Sequence, residues 1–313
     1  MNEQEVYDDT IYRVVHGSRA YGTHRPDSDW DEKGVCIPSN PRYYYGNLTF
    51  EQKDKGWSDG SDRSIMDLRK FVGLALKCNP NIIEILYVDE SDILHMDDLG
   101  KELRDNRDIF LSRLAAATFT GYAISQLKRM RGHYDWLTKP PEEPNKDDFW
   151  KTRVLTASSD PVSITLENHV FEVTPGKQSG TVATVRHFDG KTYSAAKKRF
   201  NNYQRWLRDR NPARAELEAK HSFDVKHAYH LVRILRMGKE ILGEGLVQVK
   251  RPDAAEILEI RDGKFKYEEL ISYAEELKEE VDSLVESSPL PEEPDFEAAE
   301  ALTMRLIQKR LNG

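Results

Sequence analysis

The chain of 313 residues is long enough for two modest domains, and its 38% hydrophobic residues, 32% charged residues and net charge of −8 are typical of a folded, soluble protein. No run approaches the roughly 18 apolar residues of a membrane span, and two cysteines are too few for a disulfide framework. The acidic N-terminal segment lacks the apolar centre of a signal peptide, so we expect a cytoplasmic protein with no membrane partner.

The N-terminal third alternates between β-prone and helical patterns. Runs of β-prone residues predict three short strands, at 12–16, 31–38 and 63–66. Asp67 precedes apolar residues that recur on one helical face, so it is the expected N-cap of a helix that ends by 79–81. An apolar segment of ambiguous type follows at 82–88. Together these elements indicate a small α/β unit.

The rest of the chain is mainly helical in pattern. A long helix is predicted over 108–131, with basic residues in its last turn and Gly132 as its C-cap. A proline-rich linker follows at 138–145. The β-prone runs VSITL, HVFEV and TVATV then predict a β-hairpin insertion within 152–193. Helical pattern resumes at Ser194 and continues to the end.

These elements predict an α+β fold in which a small mixed sheet is followed by a mainly helical region. The expected domains are an N-terminal core over residues 1–100 and a helical region over 101–313. The β-rich insertion occupies about residues 138–195 of the second region.

The residues that carry chemistry lie between the first two predicted strands. Gly17 and Ser18 end the first strand, and Asp29 and Asp31 follow with one residue between them. Residues two apart on a strand project to the same side, so both carboxylates can point at one place, as two Mg²⁺ ions require. Gly17 permits close backbone approach, and Ser18 with the amides after it can hold triphosphate oxygens. Asp62, just before the third strand, is the expected third carboxylate.

The stretch GSRAYGTHRPDSDWDEKGV resembles the Gly-Ser…Asp-x-Asp motif of the DNA polymerase β superfamily, and more narrowly the bacterial and phage RNA-repair-pathway nucleotidyltransferases. The resemblance continues through SIMDLRKFVGLALKCNPNIIEIL, FLSRLAAATFTGYAISQLKRM, RNPARAELEAKHSFDVKHAYHLVRILRMGKEIL and PDAAEILEIRDGKF, and it is weakest at the insertion. It implies a polymerase-β-type catalytic core that transfers NMP from an NTP to an acceptor hydroxyl and releases pyrophosphate. The resemblance defines the reaction better than the acceptor, which we expect to be an RNA or tRNA end.

The same resemblance implies roles for the motif residues. Gly17 and Ser18 would bind the nucleotide phosphates, while Asp29 and Asp31 would bind two Mg²⁺ ions, with Mn²⁺ as an alternative. Asp62 would complete the metal site, lie nearest the acceptor and help to take the proton of the attacking hydroxyl.

Two further sets of residues are expected at the nucleotide. Arg19 either contacts phosphate or lies exposed. Three residues near one helical face are expected to face the active cleft and hold phosphates, namely Lys226, His230 and Arg233. Asp224 would orient them. A buried polar network and, with His227, a zinc site are the alternatives for this cluster.

The basic residues of the chain are concentrated in its middle. Lys and Arg outnumber Asp and Glu by 14 to 5 over residues 180–239, whereas acidic residues outnumber basic ones by 19 to 9 over 240–313. Within 197–214 an aromatic residue recurs every third position, so we expect Phe200, Tyr203 and Trp206 to pack against a core. Four basic residues would then form an exposed face suited to RNA phosphates, namely Lys198, Arg199, Arg205 and Arg208. A solvated helix face gives the same pattern.

Three other functions fit the same sequence. The first is a nucleotidyltransferase whose acceptor is a small molecule or a protein hydroxyl. The second is a non-catalytic nucleotide or RNA sensor, against which the intact pair of aspartates argues. The third is a helical ribonuclease, since Arg214 and His221 have the Arg-x₆-His spacing of some such enzymes.

Overall fold

The computed structural model of the protein describes residues 1–54, 56–156, 171–175, 181–210 and 212–312. The strands of these residues are β1 Thr10–His16, β2 Asp31–Cys36, β3 Gln52–Lys53, β4 Asp62–Asp67, β5 Ile93–Met96, β6 Trp150–Thr156, β7 Phe171–Pro175 and β8 Thr181–Phe188. The helices are α1 Glu3–Asp8, α2 Arg42–Tyr45, α3 Leu68–Ala75, α4 Pro80–Leu86, α5 Asp98–Asp105, α6 Leu114–Thr138, α7 Gly190–Asp209, α8 Pro212–His221, α9 Val225–Glu244, α10 Ala254–Arg261, α11 Tyr267–Ser283 and α12 Phe296–Asn312.

The chain divides into two compact units, which we call the sheet unit (residues 1–131 and 223–313) and the insertion unit (residues 132–222). This division differs from the expected boundary near residue 100. The reason is that the C-terminal helix α12 returns to the N-terminal sheet, where Leu302 and Leu306 are buried in the same core as Phe71. An apolar helix face needs a core to cover it, and here the sheet provides that core.

The sheet unit has the expected α+β fold, built on a mixed five-stranded sheet with strand order β3-β4-β2-β1-β5. The pairing of β2 with β4 is parallel, and the other pairings are antiparallel. Both faces of the central strands are covered. Tyr12 and Val14 of β1 lie in the main core, while Cys36 and Ile65 belong to a smaller cluster with Val6 on the other face.

The local signals around the third predicted strand are confirmed. Strand β4 ends at Asp67, whose carboxylate accepts a hydrogen bond from the backbone N–H of Arg69 at 2.8 Å and so caps α3. The ambiguous segment that follows is a helix, α4, because Asn79 caps it and Pro80 occupies its first turn, where proline is well tolerated.

The long helix α6 does not end at Gly132 as predicted. It continues to Thr138 because the residues beyond Gly132 have packing partners. The ring of His133 stacks on that of Trp136 at 5.7 Å between centroids, and both contact the ring of Trp206. These contacts outweigh a helix-stop signal that rests on one glycine.

The insertion unit contains a three-stranded antiparallel sheet of order β6-β8-β7 rather than a simple hairpin. The predicted β-prone runs HVFEV and TVATV contribute to β7 and β8, while the run VSITL lies outside the described residues. Across the part of the chain that the structure describes, no helix has both the length and the apolar character needed to cross a bilayer.

Candidate active site

Two of the expected carboxylates meet at the end of the mixed sheet where the inner strands β2 and β4 begin. Asp31 is the first residue of β2 and lies in register with His16 on β1 and with Asp62, the first residue of β4. Residues in register on neighbouring strands project to the same face of a sheet. Asp31 and Asp62 therefore stand side by side on one face, with Asp62 exposed and Asp31 half-buried.

Asp29 reaches this region in a different way from that expected. It lies in the segment before β2, so it does not share a strand with Asp31, and alternation along a strand does not set its direction. Arg19 holds this segment instead. Its guanidinium donates hydrogen bonds to the backbone carbonyls of Ser28 at 2.8 Å and Asp29 at 3.2 Å, and it lies 5.0 Å from the ring centroid of Trp30. These contacts make Arg19 a residue that positions Asp29.

Gly17 is needed for the placement of Asp31. The backbone of Gly17 has φ of +69°, a left-handed conformation that other residues rarely adopt. A β-carbon at this position would lie 2.5 Å from Oδ2 of Asp31, far inside van der Waals contact. The absence of a side chain therefore allows the carboxylate of Asp31 to lie against the turn that ends β1.

The residues after Gly17 form a compact loop. The backbone N–H of Tyr21 donates to the carbonyl of Gly17 at 3.1 Å, and that of Thr23 donates to the carbonyl of Ser18 at 2.8 Å. Within the described part of the chain, the Ser18 hydroxyl makes no hydrogen bond. The loop thus holds Ser18 at the site edge with its hydroxyl free to contact a ligand.

The carboxylates repel each other. Burial, together with the negative charges of Asp62 and Asp29, raises the pKa of Asp31, and the cations Lys226 and Lys33 oppose this rise. A group of carboxylate oxygens that destabilise one another's charge is the donor set that a hard divalent cation prefers. The residues present therefore fit a Mg²⁺ site.

Lys33 is a site residue that motif reasoning missed. It lies two residues after Asp31 on β2, hence on the same face of the sheet, and in register with Ser64 of β4. Burial lowers its pKa, while the charges of Glu84 and Asp31 act to raise it. The period of two along β2 was the signal that could have identified it.

A buried carboxylate, Glu84 of α4, lies beneath the loop that follows Gly17. Its side chain is 0% exposed, accepts a hydrogen bond from the Tyr21 hydroxyl at 2.6 Å and forms an ion pair with Arg233 of α9 at 2.5 Å. The guanidinium of Arg233 also lies 3.7 Å from the ring centroid of Tyr21. Burial alone would raise the pKa of Glu84, but Arg233 and the hydrogen bonds hold that pKa below its ordinary value.

This ion pair corrects the role expected of Arg233. The Arg233 side chain is only 2% exposed, so its charge is directed at Glu84 and not at a triphosphate in the cleft. The sequence signal for Glu84 was present, since it is the single charged residue of the apolar helix PNIIEIL. A charge in such a helix needs a buried partner, but nothing local identifies it.

His16 completes the buried group. Its Nε2 atom lies 3.3 Å from the second carboxylate oxygen of Glu84. Burial lowers the pKa of His16 to about 4, with the positive charge of Lys33 acting in the same direction, so the imidazole is neutral at pH 7. It is also in register with Asp31, which places the two residues side by side on paired strands.

The remaining predicted residues lie in the N-terminal half of α9. Asp224 caps this helix by accepting from the backbone N–H groups of Lys226 and His227 at 2.9 and 3.1 Å, so it orients the helix start. Lys226 lies close enough to Asp31 for its positive charge to oppose the rise in the pKa of that carboxylate. His230 is half-buried, and burial followed by the positive charges nearby lowers its pKa well below the ordinary value. The His227 ring bonds to Gln126 at 2.8 Å.

The N-terminal half of the chain matches the model of a known protein family. The model of RlaP, the RNA repair pathway DNA polymerase beta family, matches residues 1–159, just over half of the chain. An uncharacterized 38.9 kDa protein in the nrdC-mobD intergenic region of Enterobacteria phage T4 is 26% identical over 129 residues, 38% of this chain and of that protein. The uncharacterized protein YcgL of Bacillus subtilis (strain 168) is 32% identical over 87 residues, 28% of this chain and 32% of YcgL. The chain thus matches well under half of each relative's length, and no solved structure matches it.

Proposed function

Because this chain belongs to the RNA repair pathway DNA polymerase beta family, we propose that it transfers a nucleoside monophosphate from an NTP to an acceptor hydroxyl and releases pyrophosphate. The family points to a polymerase-β-type nucleotidyltransferase, and the site supports the reaction. Its strongest support is the meeting of Asp31 and Asp62 on paired strands beside Gly17. A carboxylate pair next to a glycine turn suits a metal-bound triphosphate.

Asp31, Asp62 and Asp29 would hold the metal, which we propose to be Mg²⁺, with Mn²⁺ as an alternative. When bound, the two ions of such a site neutralise the charge of the triphosphate and lower the pKa of the attacking hydroxyl. The negative charges of the neighbouring carboxylates raise the pKa of Asp31, and a bound cation would relieve this repulsion. Arg19 contributes by fixing the backbone on which Asp29 lies.

The other residues bind and orient the nucleotide. The Ser18 hydroxyl and the backbone of the loop would donate hydrogen bonds to phosphate oxygens. Lys226 and Lys33 supply positive charge beside Asp31, which suits the remaining phosphate charge. Asp62 is the exposed carboxylate of the paired strands, so an acceptor arriving from solvent would meet Asp62 first. The carboxylate of Asp62 would then accept the proton of the acceptor hydroxyl.

The acceptor that we propose is an RNA or tRNA end. The family description supports this choice, and so does the exposed basic face of the insertion unit. A nucleotidyltransferase needs to hold its acceptor hydroxyl in line with the α-phosphate, which requires a surface for the rest of the acceptor. For RNA that surface is basic.

The proposal is tested by following the label of an NTP. The protein is incubated with Mg²⁺, total cellular RNA and each NTP in turn, labelled at either the α- or the γ-phosphate. We expect the α-label to appear in RNA and the γ-label in pyrophosphate. Transfer of the γ-label would contradict nucleotidyl transfer. An α-label found on protein or on a small molecule would retain the reaction and replace RNA as the acceptor.

A further inference from the structure

Helix α7 of the insertion unit has two chemically different faces. Its aromatic residues are half-buried, and Tyr193, Tyr203 and Trp206 contact other rings of the same unit. Tyr193 lies 5.4 Å from Phe149, and Trp206 lies 5.3 Å from Trp136, measured between ring centroids. These contacts hold the helix to the rest of the insertion unit, as the aromatic spacing predicted. The opposite face of the helix does not pack in the core.

The opposite face is basic and exposed. Lys191, Lys198 and Arg205 recur every seven residues, which places them in one line along the helix at intervals of about 10 Å. Asn201 and Asn202 lie beside that line and are exposed as well. Two further exposed residues lie on either side of it, namely Arg199 and Arg208. The resulting surface, which we call the α7 face, extends about 21 Å along the helix.

The charge of this helix is unlike that of the rest of the chain. α7 carries six basic residues and one carboxylate, Asp209, giving a net charge of +5 within a chain of net charge −8. Lys197 is paired with Glu143 at 2.5 Å, and Arg208 with Asp209 at 2.7 Å. Within the described residues, Lys191, Lys198, Arg199 and Arg205 form no ion pair.

Unpaired cations on one side of a helix repel one another, and this arrangement does nothing for the stability of the helix. The acidic remainder of the chain could have neutralised them and does not. Solubility does not require them either, because the chain as a whole is already strongly charged. A ligand with several negative charges in a row would convert this repulsion into binding energy.

We propose that the α7 face binds the phosphates of the RNA acceptor. The proposal rests on the proposed function, which supplies RNA as the substrate class. A membrane surface does not fit, since an interfacial helix needs an exposed apolar face and the aromatic face of α7 is engaged within its unit. RNA fits because its backbone presents a row of negative charges that the Arg and Lys side chains along this face can contact. The exposed amides of Asn201 and Asn202 can donate hydrogen bonds to sugar and phosphate oxygens.

The experiment compares the full-length protein with a variant in which four unpaired cations, Lys191, Lys198, Arg199 and Arg205, are replaced by Gln. Glutamine is a good helix former, so α7 is retained, and the melting temperature checks this. The probe is a single-stranded RNA of about 20 nucleotides, with binding measured from about 50 to 200 mM salt. Each phosphate contact contributes roughly 0.7 to the log–log slope, so four contacts weaken wild-type binding about 50-fold over this range.

The variant should lose this part of the salt dependence, with its slope flatter by about 2 to 3 and its NTP affinity unchanged. A matched control removes four exposed cations of the sheet unit that form no ion pair within the described residues, by changing Arg42, Lys77, Lys128 and Arg129 to Gln. The control should keep the wild-type slope. Equal slopes in the wild type and the α7 variant, or an equal change in both variants, would overturn the proposal.

A polyglutamate peptide of similar charge distinguishes RNA from an acidic protein. We expect it to bind more weakly than RNA at about 50 mM salt, because it offers no phosphate or sugar oxygens for the Arg, Lys and Asn side chains to contact. Equal or tighter binding of the peptide would overturn the assignment to RNA. The label-transfer experiment tests nucleotidyl transfer separately, since neither the slope nor the peptide comparison depends on catalysis.

Discussion

Replacement of Glu84 by Gln tests whether the buried ion pair holds the active-site loop to the helices behind it. Glutamine has nearly the shape of glutamate and can still accept a hydrogen bond from Tyr21, so the change removes the charge and little else. The partner, Arg233, is 2% exposed and remains charged at every accessible pH. The variant therefore leaves a buried guanidinium without its carboxylate.

The cost follows from the burial of both groups. Breaking a buried pair by removing one charge typically costs about 3–5 kcal/mol, because the remaining charge is desolvated and uncompensated. Since Gln retains part of the hydrogen bonding, we expect about 3 kcal/mol less free energy of unfolding. For a unit the size of the sheet unit, this corresponds to a fall in melting temperature of about 6–12 °C.

A double-mutant cycle separates the pair from general damage. Arg233→Met removes the second charge, and a variant carrying both Glu84→Gln and Arg233→Met should lose less stability than the sum of the single changes. We expect a coupling of at least about 2 kcal/mol, measured by urea unfolding at pH 7. The control is Glu90→Gln, whose exposed carboxylate lies 3.8 Å from Arg104 and should matter by less than about 0.5 kcal/mol.

The same variant should also affect nucleotide binding. Tyr21 lies in the loop that carries Ser18, and it is held by both members of the pair. Loosening of this loop should raise KM for the NTP in the fraction of Glu84→Gln that remains folded. A stability change below about 1 kcal/mol, or additive effects in the cycle, would refute the view that this pair supports the site.

Three further predictions follow from single residues. Asp67→Ala should lower the free energy of unfolding by about 0.5–2 kcal/mol through loss of the α3 cap, and should leave turnover unchanged. Asp62→Asn should instead lower turnover with little change in melting temperature. If the two phenotypes are reversed, Asp62 is not the catalytic carboxylate. Gly17→Ala should cost about 1–2 kcal/mol and abolish transfer, because its β-carbon would displace Asp31, and wild-type rates would contradict this. The pKa of His16 falls from 6.5 to about 4 on folding, so below pH 6.5 the unfolded chain binds a proton that the folded protein does not. Stability should therefore fall by about 3 kcal/mol as pH decreases from 6.5 to 4, and His16→Gln, followed by urea unfolding, should lack this part of the loss.

The parts of the fold that sequence predicted are those set by neighbouring residues. The strands around Gly17, Asp31 and Asp62 could be placed because β-prone runs and turn residues act over a few positions. The cap at Asp67 was predictable for the same reason, since it depends on one side chain and the N–H groups just after it. The choice of site residues rested on these elements and on the family resemblance, since the expected alternation along one strand does not place Asp29.

The parts that sequence did not predict depend on contacts between distant residues. Glu84 and Arg233 are 149 positions apart, and no local pattern says that α9 packs against α4 at that point. The sequence left Arg19 either at a phosphate or exposed, and its hydrogen bond to the backbone carbonyl of Asp29 could not be predicted because it depends on how the loop folds. The boundary of the sheet unit was missed likewise, since it requires knowing that α12 returns to the N-terminal core.

The measurement that tests the central claim most directly is transfer of α-labelled nucleotide by Asp31→Asn, Asp29→Asn and a nearby control, Asp27→Asn. Asp31 and Asp29 are proposed metal ligands, whereas Asp27 is an exposed residue of the same loop. With melting temperatures matched to the wild type, we predict that Asp31→Asn and Asp29→Asn give no transfer above background. Asp27→Asn should retain the wild-type rate. Wild-type transfer by Asp31→Asn would contradict the proposed metal-dependent nucleotidyl transfer at this site.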